Sequence, residues 1–157
     1  LVEKPARSNV VPYLVALGRR MKVLKTYYLM GYYWCAYDVM LAALVGGSTT
    51  ARDGLIKGRF NPLYVPEIES LARSGRFGMR IVSWDDARPG DFVTFDWGGD
   101  GVPDHIGMLV SRRGNSATTI EGNTSPEWDT QGSQSNGGGV YERNRTRSEI
   151  RAVIRWS

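Results

Sequence analysis

The chain has 157 residues, a formal net charge of +4, 41% hydrophobic and 23% charged residues, one cysteine and one histidine. That length suits one domain, which buries roughly two-thirds of its unfolded surface. A lone cysteine excludes an internal disulfide, no apolar run approaches the roughly 20 residues of a membrane span, and no secretory signal is visible.

Residues 1–9 are polar and read as a linker or arm, and a chain that starts at Leu1 instead of Met is expected to be cut from something larger. Ser8 or Asn9 can cap a helix with Pro12 in its first turn, and Leu14, Leu17, Met21 and Leu24 recur at helical spacing. Residues 1–26 thus form an arm and first helix, and 27–157 the main domain. Tyr27, Tyr28, Tyr32, Tyr33 and Trp34 form an aromatic run divided by Gly31. From Cys35 to Leu44 the residues suit a buried helix, ended by Gly46-Gly47. Ser48 to Phe60 carries few signals. Asn61-Pro62 is a turn, and Pro66 opens a short helix through Ala72.

A turn-rich segment, Trp84 to Asp91, leads into a first strand, Phe92–Phe95. A Gly-rich connection, Asp96 to Asp104, returns the chain as a second strand, Ile106 to Ser111, and Ala117 to Glu121 is the third. Thr124 to Gly139 is a loop long enough to be functional or mobile. Val140–Arg143 and Ile150–Trp156 complete the sheet. Helices followed by an antiparallel meander define an α+β domain, and the 19 glycines fit its many turns. The positive charge suits anionic surroundings such as nucleic acid or a charged cell wall. The basic residues are scattered, however, and the one cluster, Arg143, Arg145, Arg147, Arg151 and Arg155, reads as a solvated strand face.

One thiol and one imidazole, followed by the carboxylate of Glu121 and the amide of Asn123, are the parts of a thiol hydrolase. A free thiol near pKa 8.5 is only a few per cent ionised at neutral pH. A helix N-terminus favours the anion by about 0.3–2 kcal/mol, and a neighbouring imidazolium must supply the rest. His105 is the only histidine available. Glu121 or Asn123, on or just past the adjacent strand, can accept a hydrogen bond from the far ring nitrogen and fix its orientation. Asp96, Asp100 and Asp104 lack the alternating oxygens of an EF-hand loop, so no metal is expected.

Four segments in order, Trp34-Cys35-Ala36, Arg88-Pro89-Gly90-Asp91-Phe92-Val93-Thr94-Phe95, Asp104-His105-Ile106-Gly107-Met108-Leu109-Val110-Ser111 and Glu121-Gly122-Asn123-Thr124, resemble the motifs of CHAP-domain peptidoglycan hydrolases. These belong to the NlpC-like, papain-like group. The resemblance runs from about Tyr27 to Trp156. It implies a papain-like fold with N-terminal helices packed on a central antiparallel sheet. By the same resemblance Cys35 is the nucleophile, His105 the general base, Glu121 the acidic third residue and Asn123 its nearby amide. The implied reaction is cleavage of cell-wall peptide amides, as an endopeptidase or an N-acetylmuramoyl-L-alanine amidase, without a cofactor.

The chain departs from the family pattern where an aromatic and a serine commonly stand three and five residues after the cysteine; here these are Asp38 and Met40. An acid that close raises a thiol pKa. Trp34, Trp97 and Trp128 are the candidate substrate-binding aromatics, with a packing role the competing reading for Trp34. The expected partner is bacterial peptidoglycan, with no nucleic acid and no membrane insertion. The chain is expected as a monomer or as part of a larger phage protein, acting at the cell wall outside the cytoplasm as a lysin, a virion-associated domain or a secreted enzyme. The rival reading is a wall-binding or virion module that keeps the fold without turnover.

Overall fold

A computed structural model describes Val2 and residues 12–23, 33–129 and 131–156. Ser8, Asn9, Leu24 and the aromatic run up to Tyr32 lie outside the described residues. The first helix, α1 (Pro12–Arg20), starts at the expected proline, and Leu17 and Met21 pack against the core from it and its end. The second, α2 (Cys35–Val45), begins at Cys35 itself and is buried along most of its length. It stops at Gly46, and Gly47 takes φ 89°, a conformation that suits glycine.

A helix, a strand and the short 3-10 turn Arg76–Gly78 before that strand escaped the sequence reading. Helix α3 (Thr49–Leu55) lies where few signals were seen, with Ser48 as its cap: the Ser48 hydroxyl accepts from the Ala51 N–H at 3.2 Å. Strand β1 (Met79–Val82) precedes the expected first strand and follows helix α4 (Val65–Arg73), which Pro66 opens as anticipated.

The other strands are β2 (Phe92–Phe95), β3 (His105–Arg113), β4 (Ser116–Thr124), β5 (Gly139–Thr146) and β6 (Ile150–Trp156). The protein is α+β, with a six-stranded antiparallel sheet in the order β1-β6-β2-β3-β4-β5. The meander holds from β2 to β5. The last strand does not extend it: β6 returns to pair with β2 on one side and β1 on the other.

Strand pleating sorts the side chains into two layers. Phe92, Ile106 and Ile154 join the helices in the main core, around Trp34, Tyr37, Met40, Leu41 and Ile68. Val93, Phe95, Leu109, Ala117 and Val153 form a second cluster on the opposite face, with Trp84 and Trp97 packed against it. Helix α2 rests on β3 and β4, and α4 on β1 and β6. Antiparallel pairing puts the start of β3, the ends of β2 and β4 and the starts of β5 and β6 at one end of the sheet. The connections 96–104 and 125–138 emerge there.

Candidate active site

That end of the sheet gathers the thiol, the imidazole and the carboxylate. Cys35 is the first residue of α2, and no side chain of the preceding Trp34 caps the helix. His105 is the first residue of β3, paired with Phe95, whose ring lies 5.7 Å from the imidazole centroid. Glu121 is opposite Gly107 in the β3–β4 register, so it must lean along β3 to reach His105. It has room to do so because residue 107 lacks a side chain: a Cβ there would stand 2.6 Å from Glu121 Cγ. The result is a contact of 3.1 Å between His105 Nε2 and Glu121 Oε2, both residues fully buried.

The ring's other nitrogen, Nδ1, has no hydrogen-bond partner in place. Cys35 lies close enough to act on the ring's protonation, but without an aligned S–H···N bond. Thiol–imidazole contacts are often looser before substrate binds. Burial by itself disfavours the imidazolium, yet Cys35 and Glu121 outweigh it and push His105 up to about 9. Burial likewise disfavours the Glu121 carboxylate, but Arg145 foremost and then His105 hold it far below the usual carboxylate range. These opposed shifts favour a charged imidazolium against a charged carboxylate, with a sulfur beside them.

Arg145 was not singled out from the sequence, where the arginines of β5 read as a solvated face. That reading is corrected: Arg143 and Arg145 are 7% and 4% exposed. The 125–138 connection folds back over them. Gln134 Oε1 accepts from Arg143 Nη2 and Arg145 Nη1, each at 3.0 Å, and Arg143 Nη1 donates to the Ser125 carbonyl at 2.5 Å. No local pattern announces this, because the cover is an irregular segment before β5 whose path the strand's own residues do not set.

Asn123 is at the end of β4, fully buried, with φ 61° at a bulge in the β4–β5 register, and its carbonyl accepts from the Gly137 N–H at 2.9 Å. Trp34 is 1% exposed within the main core, a position that favours the packing role. The Trp97 indole stacks on Phe95, ring centroids 4.9 Å apart, with its Nε1 buried and unpartnered. Only Trp128, on the 125–138 connection, is open to solvent, at 83%. Asp38 is half-buried in the first turn of α2 and lies against Gly122, and burial raises its carboxyl to about 6. Among the described residues no group of three or more potential ligands could hold a metal ion, and no helix is long and apolar enough to cross a membrane. Comparison with family models, curated proteins and solved structures finds no match for this chain.

Proposed function

We propose that this protein is a cysteine hydrolase of cell-wall peptide amides with a papain-like domain of the CHAP type. The observation that carries the reading is the order Cys35, His105, Glu121 in space, with the sulfur at a helix start and the carboxylate on the far ring nitrogen. In the reaction His105 Nδ1 takes the thiol proton and the sulfur attacks the amide carbonyl carbon. The first N–H groups of α2 stabilise the oxyanion. His105 then gives its proton to the leaving amine as the carbon–nitrogen bond breaks, leaving a thioester on Cys35. A water that loses a proton to His105 attacks the thioester, and the acid and free thiol are released. Glu121 keeps the ring oriented throughout, and Asn123 is the nearby amide that the resemblance implies. Peptidoglycan is the substrate class suggested by the four-segment resemblance, and Trp128 is the aromatic best exposed to meet it.

Cys35→Ala is expected to abolish release of new amino termini from purified cell walls, with an unchanged circular dichroism spectrum. Walls cleared at the parent rate by that variant would sink the mechanism. Mass spectrometry of the parent's digest identifies the bond cut.

A second reading, a wall-binding or virion module without turnover, draws on one observation: Cys35 is 2% exposed, and His105 and Glu121 are wholly buried. Alkylation of Cys35 as a function of pH separates the two. A profile with an apparent pKa well below the ordinary 8.5 favours the enzyme, and an inert thiol favours the module.

A further inference from the structure

Glu121 is held by more than a hydrogen-bonding imidazole. Arg145 on β5 donates from Nε to Oε1 at 2.8 Å and from Nη2 to Oε2 at 2.5 Å, a two-pronged grip. Thr119 Oγ1 adds a bond to Oε1 at 2.6 Å. Oε2 therefore serves both Arg145 and His105. The guanidinium is held in turn, 5.2 Å from the ring centroid of Phe95 and 4.8 Å from that of Trp97. Its remaining partners are Gln134 at 3.0 Å and Glu149 at 3.7 Å. The charged or titratable groups around Glu121 are thus His105 from β3, Arg145, Arg143 and the directly opposite Tyr141 from β5, Glu149 beyond Arg145, Cys35 of α2 beyond His105, and Asp38 of α2 against the neighbouring Gly122.

A carboxylate sealed from water tends to take up a proton unless a fixed cation stands beside it. Arginine does not lose its charge, and its planar fork fixes the plane of the carboxylate it binds. We propose, resting on the Cys35–His105 reading, that Arg145 is a positioning residue that keeps Glu121 ionised and turned toward His105. The imidazolium facing Cys35 then owes its stability to a residue that touches neither the sulfur nor the ring. From His105 outward the groups alternate in sign, imidazolium, carboxylate, guanidinium, and Arg145 closes the series.

His105 is the only histidine, so its ring resonances can be followed by NMR without assignment. In the parent it is expected to titrate well above the ordinary value of about 6.5. In Arg145→Met its midpoint should fall by about one pH unit or more, because Glu121 loses its charge and burial then governs the ring. Arg145→Lys keeps a cation but not the fork, and should fall part of the way. Glu121→Gln should fall as far as Arg145→Met, and the double variant no further than either. A folded Arg145→Met whose His105 titrates with the parent overturns the proposal, as does a double variant that falls further than both singles. If Arg145→Met does not fold, Arg145→Lys decides alone, and a midpoint equal to the parent's overturns it. None of these readouts needs a substrate. A parent that leaves walls intact while His105 behaves as described counts against the hydrolase and in favour of the role given to Arg145.

Discussion

Asp38 lies three residues after Cys35, in the first turn of α2. A carboxylate in the first turn of a helix is favoured by the exposed N–H groups, yet burial raises this one to about 6. Its pKa in the folded protein is above the unfolded value of about 3.9, so the stability linked to it is fully present below that value and is lost as pH rises through about 6. Asp38→Asn is therefore expected to match the parent at pH values below about 3.9 and to exceed its stability at pH 8. Denaturant midpoints at the two pH values check this, and equal midpoints at pH 8 would refute it. That Cys35, His105 and Glu121 would be brought together was legible from residue type and order, because the lone thiol and the lone imidazole each occurred in a fitting local pattern. Arg145 was not, since an arginine two residues from another on a strand looks the same whether water or a folded-back segment covers it.

Gly107 shows how a strand can be shaped by its neighbour. In most strands an alanine is preferred to a glycine by roughly 0.5–1 kcal/mol. Here the added methyl group would meet Glu121 Cγ at 2.6 Å and the Ile120 carbonyl at 3.1 Å. Gly107→Ala is expected to cost about 1–3 kcal/mol, the reverse sign, and, under the proposed hydrolase function, to lower hydrolysis by more than the unfolded fraction explains. Thermal melts and initial rates on the same sample test both parts, and a variant more stable than the parent would refute the first. Strands β2, β3 and β4 could be read from their apolar runs between turn residues. Strand β1 could not, being four residues long beside two glycines. Helix α3 carries Gly54 in its interior, which weakens its helical signal. That glycine has a packing reason, since a Cβ there would stand 2.5 Å from the Phe60 ring.

The helical layer and the sheet are joined through Glu69 of α4, which is 3% exposed. It accepts from Arg73 on its own helix at 2.7 Å, from Thr94 on β2 at 2.7 Å and from Arg151 on β6 at 3.1 Å. Removing it leaves the buried Thr94 hydroxyl and Arg73 without this acceptor, and Arg151 with Asp96 alone at 3.5 Å. Glu69→Ala is expected to cost about 1–3 kcal/mol, less than a wholly buried pair because both arginines keep contact with solvent. For a domain of this size that lowers the melting temperature by roughly 2–4 °C per kcal/mol. An unchanged melting temperature would show that the two layers are held by apolar contact alone.

The placement of β6 also governs when this molecule can become itself. Phe92–Phe95 has an open flank until residues 150–156 have been synthesised, and Met79–Val82 has no sheet neighbour at all before then. A nascent chain shorter than that leaves both strands with unpaired edges, the condition in which strands are most readily captured by other chains or cut by proteases. Ribosome-bound intermediates stalled before Ile150 are therefore expected to remain sensitive to proteolysis, and resistance to arrive in one step as that strand emerges.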